Sequence, residues 1–532
     1  MNSDITTTLR SALRYQKTGQ LLEAEREYRT VLEKTPNDIT ANHLMSLLFL
    51  HSGRHLEALR YVRRAVELSG NRADTVNTQA LICQAAGAVE EAEEMLRSLV
   101  KQLPDNLEGL VNLGALLIKL GNFDEAVAYL TRSLTLKPNN IVALFQRALA
   151  YVALEDWDRS IMDFRLASDL EPNDASIRHN LALALHQGGQ LTEAVDQYRN
   201  ALAAGSSTPA ESIGGLADAL LLLGRYKEGW AAYESRRLIP NWIRATGITR
   251  LPAWEGDALD GRKLLVYSEQ GIGDLIQFSR YLLPLAKLNR GVGLKVPKRI
   301  VPLMRSLSAE VAVVSDTDEI HDYDCHVAVM SLPHFTGLVK PYWPKCGAYL
   351  HPAADRFKKW QGKVRSDRHV QIAIIWRGSV ISETRRDIPL VAFRHIAEIP
   401  NVQLISLQKD VTNEERLLMK KWGNVTDLGD QIDHDSAFVD SIAILHHMDL
   451  MITSDTGPAH LGGASGIPVW TALMKIPEWR WGLAGDFCPW YPTMRLFRQS
   501  NAGGWDEVLA AMAKRVRVQW PQFDRKITKQ CK

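Results

Sequence analysis

Two carboxylates stand close together in the run SEQGIGD, residues 268–274: Glu269 and Asp274, with Gly271 and Gly273 between them. A carboxylate facing a cleft is a candidate general base, and the glycines let the backbone turn tightly and approach a ligand. Asp274 also suits a helix N-cap, a common use of Asp at such a turn, and Glu269 serves equally as an orienting partner. A second run, SDTGPAHLGGASG at 454–466, places Gly457 and Pro458 at a helix start that Thr456 or Asp455 can cap. Free N–H groups and the positive end of the helix dipole make such a start a phosphate site. His460 falls about one turn inside, facing the cleft or the sheet, and a lone histidine there is more often structural. No His, Cys or Asp spacing resembles a metal site, so no metal and no bound cofactor is expected.

The run WRGSVISETRRDIPL, 376–390, gathers Arg377, Gly378, Ser379, Arg385 and Arg386. Arginines at this density could clamp a diphosphate bidentately, or form a solvated loop. SLQKD, 406–410, puts Gln408 and Lys409 at another strand end, and IPEWRWGLAGDFCPWYP, 476–492, is dense in aromatics. Aromatic faces stack on sugars and bases, although core packing is their commoner use.

These motifs need rigid elements to position them. Short apolar runs precede most of them: KLLVYSE (263–269), GVGLKVP, AEVAVVS, DCHVAVM, then VQIAIIW (370–376), VQLISLQ (402–408), LMITS (450–454), IPVWTAL (467–473) and MRLFRQ (494–499). With helical patterns between them they predict buried parallel strands covered on both faces, in two successive α/β lobes. Ligands of such sheets bind beyond the carboxyl ends of the strands, where the polar motifs fall.

The first half reads differently. Gly19, Gly53, Gly87 and Gly121 recur every 34 residues, and two more steps reach Glu155 and Gly189. Ala24, Ala58, Ala92, Ala126, Ser160 and Ala194 keep the same period, as do Pro36, Gly70, Pro104, Pro138 and Pro172. Amphipathic stretches such as LVNLGALLIKL and FDEAVAYLTRSL flank each turn, so the repeat unit is a helix pair: glycine for the turn, a small residue for close approach, proline to end the second helix. Six regular units are followed by a degenerate seventh around Gly224, with Gly229 where alanine is expected.

Composition sets the outer bounds. At roughly 100–200 residues per domain, 532 residues predict about three or four domains. A net charge of +2 argues against a protein built to coat nucleic acid. Five scattered cysteines with no CxxC argue against a disulfide framework or zinc ribbon and fit a reducing compartment. The polar start predicts no signal peptide, and no apolar run is long enough to predict a membrane span. Residues 1–240 carry a net −5 and residues 241–532 a net +7, which leans the second half towards an anionic ligand.

The 34-residue pattern resembles the tetratricopeptide repeat family, which implies a superhelix whose inner face binds a peptide or protein. The linked series EQGIGD, YDCHVAVMSLP, IIWRGS, LISLQKD, SDTGPAHLGGASGIPVW and WRWGLAGDFCPWYPTMRLFRQ resembles heptosyltransferase-like glycosyltransferases of the GT-B class, and the whole chain resembles bacterial proteins that fuse such a domain to the repeats. The resemblance implies residues 1–238 as repeats, 239–262 as linker, 263–365 and 366–520 as twin Rossmann-like lobes, and 521–532 as a tail. It implies Asp274, with Glu269, as the catalytic carboxylates. Gly271, Gly273, Arg377, Gly378, Ser379, Gln408, Lys409, Asp455, Thr456, Gly457 and His460 would meet the donor nucleotide-sugar. Some repeat-fused transferases carry an inner asparagine ladder; the matching positions here are Leu44, Thr78, Asn112, Gln146 and Asn180, so Asn112, Gln146 and Asn180 are the expected acceptor contacts.

The expectation is a cytoplasmic, metal-independent, inverting glycosyltransferase that modifies a protein recruited by the repeats. Relatives of this build that glycosylate flagellin imply flagellin as acceptor and a CMP-linked nonulosonic acid as donor. Two alternatives stand: transfer to a surface polysaccharide or lipid-linked glycan, and a non-catalytic repeat scaffold. Oligomeric state is open.

Overall fold

The structure, a computed structural model, describes residues 2–238, 251–320, 322–340, 347–364, 369–378, 386–500 and 504–521. Ser379 and Arg385, the first half of the expected linker and nearly all of the tail lie outside the described residues. The chain divides into two compact units, Met1–Gly188 with Ala203–Ser206, and Gly189–Leu202 with Ser207–Lys532. The division falls inside the repeat array, so the last repeat helices belong with the sheets.

The first unit is built of helix pairs such as Leu107–Lys119 with Phe123–Leu136 and Ile141–Ala153 with Trp157–Leu170. The alanines of the small-residue series are fully buried, and Ser160, also buried, donates its hydroxyl to the Ala148 carbonyl at 3.1 Å. A further periodic feature is the helix cap. Asp38, Asn106, Asn140 and Asp174 each accept from the backbone N–H three residues on, at 2.7, 2.7, 3.3 and 2.9 Å. The turn glycines adopt positive φ, and Glu155, in the same slot, is forced to φ +57°. A left-handed conformation costs a non-glycine residue about 1–2 kcal/mol, partly offset by the chain entropy glycine loses on folding. Glu155→Gly is therefore expected to raise stability by about 0.5–1 kcal/mol, read as a higher denaturation midpoint; a lower midpoint would show that Glu155 contributes contacts outweighing its strain.

In the second unit two wholly parallel sheets stand in sequence. The first holds β1 (Leu264–Tyr267), β2 (Val292–Val296), β3 (Ala312–Ser315) and β4 (Cys325–Ala328) in the order β3-β2-β1-β4. The second holds β5 (Val370–Ile375), β6 (Val402–Ser406), β7 (Val425–Asp427), β8 (Leu450–Ser454), β9 (Val469–Leu473) and β10 (Met494–Arg498) in the order β10-β9-β8-β5-β6-β7. β1, β2, β4, β5, β8 and β9 are buried along their whole length, which explains their continuous apolar runs. β7 is a three-residue edge strand with no buried residue, too short and polar to stand out in the sequence. Part of the expected linker is ordered against the first sheet: Ala253 bridges His326 of β4, and Trp254 is buried with its N–H on the Asp257 carbonyl at 2.7 Å. Among the described residues no helix is long and apolar enough to cross a membrane.

Asp440 ties helix Ala354–Val364 to the second sheet's surroundings. Its carboxylate accepts from Trp360 Nε1 at 2.7 Å, from Arg356 and Lys359 at 3.2 Å and from the Asp433 N–H at 3.1 Å. Burial alone would raise its pKa, but the hydrogen bonds from Trp360, Asp433, Lys359 and Arg356 win and hold it at about 2. A depressed carboxylate contributes stability above its unfolded pKa of about 3.9, lost as pH falls through the folded value. The wild type should therefore lose stability between about pH 4 and pH 2 through this group. Asp440→Asn should be less stable at neutral pH and flatter across that window; a parallel pH profile for the two proteins would contradict the assignment.

Candidate functional site

In each sheet the chain reverses direction beside its first strand: β1 is flanked by β2 and β4, and β5 by β6 and β8. Such switch points open crevices at the carboxyl ends of strands. The loops after β1 and β8 meet there. A Cβ on Gly273 would stand 3.1 Å from Gly457 Cα and 3.1 Å from His460 Cδ2, so two glycine backbones from different sheets are in direct contact.

Asp274 does not itself take the N-cap position. Gly271 does, and Asp274, three residues on, accepts the Gly271 N–H at 2.9 Å through one oxygen. Its other oxygen binds Arg480. Arg480, from the aromatic run, also donates to Gln277 Oε1 at 2.6 Å, pairs with Glu478 and lies 4.4 Å over the Trp479 ring. Sequence reasoning passed over Arg480, a residue set between tryptophans with no charged pattern around it.

Glu269 is the orienting partner of the two roles open to it. Arg236 grips its carboxylate at 2.6 and 3.1 Å, and the Met330 N–H donates to it at 3.1 Å. Its side chain is 2% exposed and that of Arg236 is 8% exposed. Burial pushes the carboxyl up and Arg236 opposes it. Arg236 also donates to Ser331 Oγ at 2.7 Å, so this pair fastens the 3-10 turn Glu234–Leu238 across the β1–β4 crevice. Beside it Gln270, at φ +58°, donates to Tyr233 Oη at 2.5 Å.

Helix Gly457–Ser465 begins at Thr456 without a side-chain cap, although Thr456 and Asp455 were expected to supply one. Asp455 is buried, which raises its pKa, with Arg386 opposing from 3.8 Å. Of the three loop arginines, Arg386 is therefore the one that faces this segment. His460 is buried, stacked on Trp481 at 5.2 Å and hydrogen-bonded to Tyr491 Oη at 3.0 Å. Burial, then Arg480 and Arg280, push its pKa well down, so the ring is neutral. The aromatics Trp479, Trp481, Trp490 and Tyr491 are buried; only Phe487 of the run is exposed.

The expected donor contacts after β5 and β6 are already engaged. Arg377 pairs with Glu415, which closes the capping box of helix Asn413–Trp422 with Thr412. Gln408 is buried and accepts the N–H groups of Trp376 and Arg377 at 3.1 and 3.0 Å. Lys409 donates to the Ile432 carbonyl, and the Gly378 N–H reaches Asp387 at 3.4 Å. These groups brace the β5 loop and leave Gly457 and Arg386 as the free-facing phosphate candidates. Around the meeting point Gln277 Nε2, Arg386 Nε and Ser454 Oγ are buried without a hydrogen-bond partner among the described residues. Buried polar atoms are nearly always satisfied, so such a cluster marks a place a ligand or water completes.

In the first unit Asn112 donates to Asn77 at 3.2 Å, Asn180 to the Ser176 carbonyl at 2.9 Å, and Gln146 is half-buried. Asn112 thus belongs to an amide pair between adjacent repeats, and a similar link joins His43 to Thr78 at 2.7 Å. A recess of about 380 Å³ lies between Gly53–Glu57 and Ala85–Ala86, walled by the Arg54–Glu57 ion pair.

Residues 84–151, and residues 9–73 and 145–209, match tetratricopeptide repeat families. The chain is 25% identical over 370 residues to Protein FlbA of Caulobacter vibrioides, a match covering 64% of this chain and about 61% of that relative's length. Among solved structures it is similar to a tetratricopeptide repeat protein from Parabacteroides merdae (16% identity, 46% of this chain, 96% of that one, TM-score 0.36). It is also similar to a thermophilic tetratricopeptide repeat protein, TTC0263, of Thermus thermophilus (24% identity, 35% of this chain, 100% of that one, TM-score 0.31). The amino-terminal half is a tetratricopeptide-repeat region, and the α/β half that follows carries two parallel sheets.

Proposed function

We propose that the chain is an inverting glycosyltransferase of the GT-B type, acting on a protein held by its repeats. The observation that carries this reading is the contact of Gly273 with Gly457 and His460, which joins the switch-point loops of two doubly wound sheets. In sheets of this topology the ligand lies at that point, and the uncapped start of helix Gly457–Ser465 suits a leaving phosphate. Arg386, with an unsatisfied Nε, adds a cationic donor beside it. The acceptor is a protein hydroxyl, of which flagellin is the case the sequence resemblance implies, and the donor is a nucleotide-activated sugar, CMP-linked by the same resemblance. The reaction displaces the nucleotide phosphate from the anomeric carbon with inversion. A repeat scaffold without chemistry would need none of the unsatisfied donors at the crevice.

The test is incubation of the full chain with flagellin and, in turn, CMP-, UDP-, GDP- and ADP-activated sugars, followed by intact mass. A mass increase with one donor class is expected. No increase with any donor would overturn the reading.

A further inference from the structure

One carboxylate of the second unit departs from the repeat pattern. Six positions before each turn residue stand Leu47, Leu81, Ala115, Leu149 and Leu183, but in the last repeat, six before Gly224, stands Asp218. A charge in an apolar register costs stability unless something uses it. Helix Pro209–Leu222, which carries Asp218, packs against the turn Trp479–Trp481 and against Glu234–Leu238. The groups facing Asp218 are Arg480 from the first of these turns, Tyr233 from helix Tyr226–Tyr233 and Tyr198 from helix Leu191–Ala203. The second turn carries Glu234, Arg236 and Arg237, which are engaged with one another and with Glu269 and Glu255.

Arg480 therefore serves two carboxylates of different character. Asp274 touches it and has both oxygens occupied. Asp218 senses it only at longer range and, among the described residues, takes part in no hydrogen bond. One turn earlier on the same helix, Gly214 has open space where a side chain would lie, so the surface beside Asp218 is accessible. Asp218 is half-buried; burial lifts its carboxyl to about 6, with Arg480 opposing. Two carboxylates whose environments push them apart mark a division of labour between holding and proton transfer.

We infer that Asp218, supplied by the last repeat helix, is the catalytic carboxylate that accepts the acceptor's hydroxyl proton, and that Asp274 with Arg480 is a positioning pair. The inference rests on the transferase reading above. As the acceptor oxygen bonds to the anomeric carbon, its proton passes to Asp218. The bond from that carbon to the donor phosphate oxygen breaks, and its electron pair leaves with the phosphate. A base carried by the repeat that adjoins the sheets makes proton removal depend on a protein acceptor lying along the repeats.

The experiment measures kcat/KM against pH for flagellin modification with the active nucleotide-sugar, in the wild type, Asp218→Asn, Asp218→Leu and Asp274→Asn. The wild type should show an acidic limb near pH 6. Asp218→Asn should lose about 10²–10⁴-fold in rate and the limb with it. Asp218→Leu, which restores the apolar residue of the other repeats and so keeps the fold, should lose as much. Asp274→Asn should keep the limb. A limb surviving in either Asp218 variant, or a loss of less than tenfold, overturns the inference while leaving the transferase reading standing. A wild type silent with every donor overturns both.

Discussion

Replacing Arg236 by methionine is expected to cost the second unit about 3–5 kcal/mol, the usual effect of stranding one member of a buried ion pair. Arg236 is 8% exposed and Glu269 is 2% exposed, so the variant leaves a carboxylate with neither water nor a cation. The Met330 N–H would remain on that carboxylate, but a single neutral donor does not offset a buried charge. The double variant Arg236→Met with Glu269→Gln should recover a large part of the loss, since the amide oxygen can still accept from Met330 and no charge is left. Tryptophan fluorescence in a urea titration reads this well: of the 14 tryptophans only Trp157 lies outside the second unit. Equal losses in the single and double variants would show that Arg236 acts through packing on Tyr233, 4.6 Å away, rather than through the charge of Glu269.

Arg480→Gln should have the largest effect on transfer after Asp218. Arg480 is 9% exposed and joins Asp274, Gln277 and Glu478 in one network. It is also the cation that opposes the raised carboxyls of Asp218 and Asp455. Without it the loop after β1 loses its hold on the second sheet's aromatic turn, and displacement of a reacting group by about 1 Å costs about 10²-fold. kcat should fall by about that factor, and the acidic limb should move to higher pH, because the carboxylates then ionise without a neighbouring cation. A variant with normal kcat and an unmoved limb would remove Arg480 from the account.

Periodicity and apolar runs carry their information locally, and the elements they encode were legible. The turn slots at Gly19 through Gly189 can be read from spacing because each needs a positive φ, and even Glu155 obeys the register. Fully buried strands such as β5 and β8 announce themselves as unbroken apolar runs. β7 does not, because a half-exposed edge of three residues needs little apolar surface. Site chemistry was less legible, since a side chain's role depends on what lies across the fold. Arg377 reads as a phosphate ligand until Glu415, 38 residues away, is seen to hold it. Gln408 reads as a ligand contact until its oxygen is found on the β5 backbone. Glu269 reads as a base until Arg236, 33 residues earlier and within what the sequence presents as repeats, is found on it. Asp218 had a local signal after all, a charge in an apolar slot, but one that shows only when the seventh repeat is aligned with its turn one residue late.

The central claim is that the crevice where Gly273 meets Gly457 holds a nucleotide. Thermal unfolding of the full chain with CMP, UDP, GDP and ADP, beside Arg386→Gln, tests it most directly, because a ligand bound only by the folded protein raises stability with its concentration. The account predicts a rising midpoint with one of the four nucleotides and a much smaller rise in the variant. Flat midpoints with all four, or a shift that Arg386→Gln leaves untouched, would contradict it.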